Sequence, residues 1–319
     1  MAPPILVIST KAPEMVPWLA ERLPGERFHV ADGPGQLGPL LERLAPEERP
    51  EIVFAMNDPL LPHAEMHRAR DLETVRWWQV AGSGYEWLGD WDRARLTVTN
   101  AVGVLAPYLA ETTLGAMIAL NNGLFGYREA QRARRWAPAN FPALAGQKLL
   151  VVGAGAIGRE VATRAKALGL HITGVSRAGT AEAPFDAMVP LASLDDALGT
   201  ADIVSCHLRL TPETRHIFDA RRFALMRPGA LFLNSARGGH VDEEALLAAL
   251  RTGHLRGAWL DVFETEPLPA ESPLWEAPNL LVTPHASDQV AGWPLRFAAL
   301  FAENLGRWRA GEPLINPVP

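Results

Sequence analysis

Short apolar runs separated by longer mixed stretches dominate this chain, and their lengths distinguish strands from helices. In the first third, Ile5–Ser9, Phe28–Val30, Ile52–Met56, Arg76–Val80 and Leu96–Val98 read as strands, separated by polar, proline-bearing segments. From about Val104 to Leu124 the apolar positions Leu109, Leu114, Met117 and Ile118 recur at helical spacing. That spacing predicts a helix leading into a second domain, with Pro107 tolerable only in its first turn. A second series of strands follows: Leu149–Val152, His171–Val175, Ile203–Cys206, Leu231–Asn234, Ala258–Leu260 and Leu280–Thr283. Helical segments Arg159–Leu168 and Glu243–Leu250 lie between them, the latter closed by Gly253 where a capping glycine is expected. After Pro284 comes one more helix-like stretch, Leu295–Trp308. Buried strands alternating with helices are the pattern of parallel sheets covered on their faces, so the expected class is α/β.

Composition narrows the classes. A chain of 319 residues has room for two domains, each with its own core. A formal net charge of −6 with 48% hydrophobic residues suggests neither a polyanion-binding surface nor a disordered acidic tail, so nucleic acid is not an expected partner. The single cysteine, Cys206, excludes an internal disulfide framework and a multi-cysteine zinc site. Ile5–Ile8 is far shorter than a signal-peptide core, and no stretch approaches the ~20 apolar residues of a membrane span. The expectation is a cytoplasmic protein with no membrane partner.

The sharpest motif is Gly153-Ala154-Gly155-Ala156-Ile157-Gly158, directly after the Leu149–Val152 strand and directly before a helix. In that context the first glycine permits the tight turn, the second admits a pyrophosphate, and the third lets helix and strand pack closely. The anion would sit on the helix N-terminus, where unpaired N–H groups favour negative charge. At the end of the next strand, where an NAD site carries an acid against the ribose, this chain has Ser176-Arg177. Arg177 reads either as the partner of a 2′-phosphate, favouring NADP(H) over a still possible NAD(H), or as a solvated loop arginine.

Three ionisable residues follow strand ends in turn: Arg237 after Leu231–Asn234, Glu266 after Ala258–Leu260, and His285 after Leu280–Thr283. Ligands of open parallel sheets bind at the carboxyl ends of strands, so three loops propose one site. A histidine exchanges protons near neutral pH, a carboxylate beside it favours its charged form, and an arginine forks onto a carboxylate. Those are the roles that hydride transfer to a carbonyl needs.

These stretches resemble the D-isomer-specific 2-hydroxyacid dehydrogenase family. The likeness runs through Asn100-Ala101-Val102-Gly103, the glycine motif at 153–158, the His207–Thr214 segment, Asn234-Ser235-Ala236-Arg237-Gly238, Asp261–Pro269 and Thr283-Pro284-His285. They stand in family order over about two thirds of the chain, and chain length with Ser176-Arg177 is most similar to the glyoxylate/hydroxypyruvate reductase branch. The resemblance implies that Arg237 binds the substrate carboxylate and keto oxygen, that His285 is the general acid/base, and that Glu266 orients and charges it. Glu264 is the rival carboxylate, but Glu266 stands in the Glu-Pro position. It further implies cofactor contacts from Gly153, Gly155, Ala156, Ile157, Gly158, Ser176, Arg177, His207, Leu208, Ala236 and Asp261, the last at the nicotinamide carboxamide. Gly82-Ser83-Gly84 matches the family's substrate loop, which places Ser83 and Gly84 against the carboxylate; otherwise it reads equally as an ordinary glycine turn.

The expected architecture is two doubly wound parallel-sheet domains: a flavodoxin-like substrate domain of residues 1–98 completed by 288–319, and a Rossmann dinucleotide-binding domain of 99–287 inserted into it. The active site is expected in the cleft between them, and the family's usual homodimer is carried over. The substrate class is a small 2-keto acid or D-2-hydroxy acid.

Two features depart from the family pattern: Arg209, where proline is usual, and Asp288, where small neutral residues are usual. His63-Ala-Glu-Met-His67 has its glutamate misplaced for a zinc-protease motif, so no metal is expected. Cys206 reads as a small apolar strand residue. A nicotinamide-sensing co-repressor is the rival of another class, disfavoured by the lack of a basic partner-binding segment. A formate dehydrogenase is disfavoured by Glu266.

Overall fold

A computed structural model describes residues 3–58, 60–180 and 183–318. The chain divides into two compact units, Met1–Leu105 with Ala291–Pro319, and Ala106–Val290. These divisions fall a few residues later than 98/99 and 287/288. The reason is local: Asn100 and Ala101 donate back to Asn316 and Gly82, while Ser287 is held by the Thr112 hydroxyl.

The first unit is a five-stranded parallel sheet in the order β2-β1-β3-β4-β5, from β1 (Ile5–Ile8), β2 (Phe28–Ala31), β3 (Ile52–Ala55), β4 (Trp77–Val80) and β5 (Thr97–Thr99). This is a flavodoxin-like order. One face is buried by Leu6, Ile8, Val53, Ala55, Trp78 and Val80 together with the flanking segments. On the other, Phe301 of the long helix Trp293–Ala310 stacks on Phe54 at 4.6 Å and on Trp77 at 5.4 Å. Asn304 of that helix donates to Gln79 at 2.9 Å, so the chain's last helix completes the first sheet. The segments expected only as polar connectors contain helices Ala12–Arg22, Leu37–Arg43 and His63–Arg70. Pro13 stands in the first turn of Ala12–Arg22 and Pro39 in that of Leu37–Arg43, where the missing N–H has no helical partner, while Pro17 lies inside the first of these helices on its exposed side.

The second unit is a seven-stranded parallel sheet, one strand more than the sequence predicts. Its strands are β6 (Lys148–Val152), β7 (His171–Ser176), β8 (Ala187–Pro190), β9 (Ile203–Cys206), β10 (Ala230–Asn234), β11 (Leu255–Leu260) and β12 (Leu280–Val282). The order is β12-β11-β10-β9-β6-β7-β8, which contains the Rossmann arrangement with its reversal between β6 and β9. The added strand, β8, is the half-exposed sheet edge and ends in proline, which an edge tolerates and a central strand does not. The expected Val104–Leu124 helix is two helices, Ala106–Asn121 and Leu124–Arg132, parted by Gly123 in the left-handed region.

Register decides what this sheet presents. Val152, Cys206, Asn234, Leu260 and Val282 are aligned partners along one edge. Every segment that leaves the sheet at their level begins a loop at the same edge: Gly153, His207, Ser235, Asp261 and Thr283.

Candidate active site

The reversal of strand order opens between β6 and β9, and the glycine motif fills it. Gly153 has φ +111°, and a Cβ there would lie 2.5 Å from the His207 carbonyl group, so only glycine fits this crossing. A Cβ on Gly158 would lie 2.0 Å from the Gly153 oxygen, which is the close helix–strand approach. Gly155 is different: nothing lies within 4 Å of its added Cβ. It caps the helix Ala156–Ala167 without any side-chain hydrogen bond, so the cap residue satisfies none of the first-turn N–H groups through a side chain. These residues fit a dinucleotide pyrophosphate.

His207 sits beneath this turn, its Nε2 paired with the Ser205 hydroxyl at 2.8 Å. Burial pushes its pKa down to about 4, so the ring is neutral and adds no charge to the anion site. Ser176 accepts the Gly179 amide at 3.0 Å, and Arg177 beside it is exposed and makes no ion pair among the described residues. The nearest carboxylate influence runs the other way: Glu213 is held below its usual range by the Thr211 hydroxyl first, and last by the charge of Arg177.

Arg237, Glu266 and His285 line one cavity of about 510 Å³, with Leu210, Arg215 and Phe263 among its other walls. His285 Nδ1 meets Glu266 Oε2 at 2.7 Å, while Glu266 Oε1 accepts the Phe263 amide at 2.9 Å. A carboxylate only accepts, so Nδ1 carries the proton and Nε2 is left for a substrate oxygen. The rival carboxylate points elsewhere: Glu264 takes His216 at 2.5 Å and Arg215 at 3.0 Å. The Arg237 guanidinium bonds only its neighbour's carbonyl, Ala236 O at 2.6 Å, and makes no ion pair among the described residues. Its backbone is fixed more firmly, because its carbonyl accepts from Asn234 Nδ2 and His240 Nδ1. Gly238 makes the turn possible, since a Cβ there would lie 1.8 Å from the Phe263 carbonyl carbon.

Asp261 is fully buried and its carboxylate is occupied within the unit, by Thr283, Ala286 and Ser287. The spacing of Asp261 along the chain carries no signal for these partners. In the first unit, the carbonyls of Gly82, Ser83 and Gly84 accept from Ala101, Asn100 and Trp87. The carbonyls of this loop are thus bonded within its own unit, and the Glu86 carboxylate accepts the Tyr85 amide that follows at 3.0 Å. His63 and His67 bond Asn57 and Trp87, and among the described residues no cluster of three or more ligands is placed to hold a metal. No helix among the described residues is long and apolar enough to cross a membrane.

Residues 114–287 match the family model described as D-isomer specific 2-hydroxyacid dehydrogenase, NAD binding domain. The chain belongs to that family. It is 37% identical to the glyoxylate reductase of Aeropyrum pernix over 229 residues, covering 69% of this chain and 68% of that one. Against the D-3-phosphoglycerate dehydrogenase of Mycobacterium leprae it is 38% identical over 205 residues, 64% of this chain but only 39% of the relative's length. Among solved structures, the D-isomer specific 2-hydroxyacid dehydrogenase of Xanthobacter autotrophicus Py2 in complex with NADPH and MES aligns with a TM-score of 0.85 and 31% identity, over 100% of this chain and 98% of that one.

Proposed function

We propose that this protein is an NADP(H)-preferring reductase of small 2-keto acids to D-2-hydroxy acids, of the glyoxylate/hydroxypyruvate type. The observation that carries the reading is the His285–Glu266 contact at 2.7 Å, on a cavity shared with an arginine that has no carboxylate partner among the described residues. Bound nicotinamide supplies the hydride. The residues of the chain do the rest: Arg237 holds the substrate carboxylate, and protonated His285 gives its Nε2 proton to the keto oxygen. Glu266 stabilises the charge the imidazole carries before that transfer. Gly153–Gly158, with the 207–208 turn and Ala236, hold the cofactor, while Ser176 and Arg177 meet its 2′-phosphate. Ser83 and Gly84 supply amides for the substrate carboxylate.

The match to phosphoglycerate dehydrogenases leaves a larger substrate as the competing assignment. Against it, Arg215, the second arginine on the cavity, is paired with Glu264 at 3.0 Å, a contact that a phosphate would have to break. The test is NADPH and NADH consumption by the purified protein with glyoxylate, hydroxypyruvate, phosphohydroxypyruvate and a bulkier 2-keto acid. Turnover only with the phosphorylated acid overturns the assignment, and none with any of them favours the co-repressor reading.

A homodimer belongs to the same proposal. Trp136 is 98% exposed and Phe141 51% exposed in the segment after the helix Leu124–Arg132, large apolar surface that a second copy would cover. Light scattering should give twice the 34.7 kDa chain mass, and Trp136→Ser should shift it toward one.

A further inference from the structure

His285 has a backbone φ of +49°, in the left-handed region that few non-glycine residues occupy. The loop that carries it is held by a chain of hydrogen bonds that starts in the core of the second unit. Trp259, fully buried on β11, donates its indole N–H to Thr283 Oγ1 at 2.9 Å. A threonine hydroxyl has one proton; having accepted from the indole, it donates to Asp261 Oδ1 at 2.5 Å. The same carboxylate accepts the amides of the two residues after His285, Ala286 to Oδ1 at 3.0 Å and Ser287 to Oδ2 at 3.1 Å. The His285 amide itself is shared between the backbone oxygens of Asp261 at 2.7 Å and Thr283 at 3.0 Å. The loop is therefore gripped on both sides of the histidine.

We propose that Thr283 is a positioning residue: it transmits the fixed orientation of buried Trp259 through Asp261 to the His285 backbone, holding Nδ1 on Glu266 and Nε2 toward the reacting oxygen. This rests on His285 being the acid/base, and it adds a use of Asp261 that stands beside the carboxamide contact implied by resemblance. Without the hydroxyl, the indole N–H loses its acceptor and Oδ1 loses its shortest donor. The left-handed turn is then held by fewer contacts, and near-attack geometry, where ~1 Å of misplacement can cost ~10²-fold, is lost.

The test compares Thr283→Val, which keeps shape and removes the hydroxyl, with Thr283→Ser, which keeps the hydroxyl and removes the methyl. Thr283→Val should lower kcat with glyoxylate by about tenfold or more while KM for NADPH stays near wild type, and Thr283→Ser should recover most of the loss. Hydrogen exchange of the apo protein, which needs no turnover, should show faster exchange of the Ala286 and Ser287 amides in the valine variant and not in the serine variant. A packing role reverses the order, with serine the worse of the two. That order, or a valine variant with wild-type kcat and wild-type exchange, overturns the proposal. If wild type turns over no 2-keto acid, the enzymatic reading fails by itself while exchange still decides the clamp; wild-type exchange in the valine variant then overturns it.

Discussion

Glu266 holds His285 with one carboxylate oxygen and the Phe263 amide with the other, so the carboxylate paired with the histidine is anchored to its own turn. Glu264, two residues earlier, faces away toward Arg215 and His216. The two acids of one turn thus have separable roles. Glu266→Gln should lower kcat for reduction by about 10²-fold or more, because the imidazole loses the carboxylate that orients it and balances its charge in proton transfer. Glu264→Gln should leave kcat near wild type. Equal kcat for wild type and Glu266→Gln would remove Glu266 from the mechanism.

Arg237→Lys retains the charge and abolishes the two-pronged fork on a carboxylate. The loss of a charge-assisted hydrogen bond of about 1.5–3 kcal/mol corresponds to roughly 10- to 150-fold in kcat/KM for the 2-keto acid. Fluorescence titration should find NADPH binding little changed. An unaltered kcat/KM in the folded variant would contradict the assignment.

Cofactor choice tests Arg177. The residue is exposed, so its contribution is screened, and Arg177→Ala should raise KM for NADPH by about tenfold at low ionic strength and less in salt. Adding Ser176→Asp should bring repulsion as well and turn the preference toward NADH. Equal kcat/KM for the two cofactors in wild type at low salt would return Arg177 to an ordinary surface residue.

His207 links the site to stability. Its pKa is pushed down to about 4 in the fold, against ~6.5 in an unfolded chain, so the unfolded state binds the proton first. Its stabilising contribution is complete above ~6.5 and declines as the pH falls toward about 4, by up to about 3 kcal/mol. Thermal melts between pH 7 and 4.5 should show a falling midpoint, and His207→Gln should flatten it. A parallel slope in the variant would mean that other groups carry the acid sensitivity.

The second unit was the more legible in sequence because its strands are buried on both faces and read as unbroken apolar runs. Leu149–Val152 and Leu231–Leu233 are examples. What escaped was β8, whose side chains are only partly covered and which therefore carries no strong apolar signal. The helix Ala12–Arg22 escaped for another reason: two prolines mask a periodicity that burial of Met15 and Leu19 reveals. At the site, order along the chain placed Arg237, Glu266 and His285 after strand ends. The choice between Glu264 and Glu266, and the commitment of Asp261 to the loop of His285, depend on which way side chains leave a turn. Spacing does not encode that.

The contact between Gly153 and the His207 carbonyl has a consequence for how the chain can change over time. With the Cβ of any other residue 2.5 Å from that carbonyl, the turn after β6 and the turn after β9 cannot drift independently. The Leu208 amide lies 2.8 Å from the same position, so a change in the 207–214 segment that moves His207 or Leu208 must move the glycine turn with it.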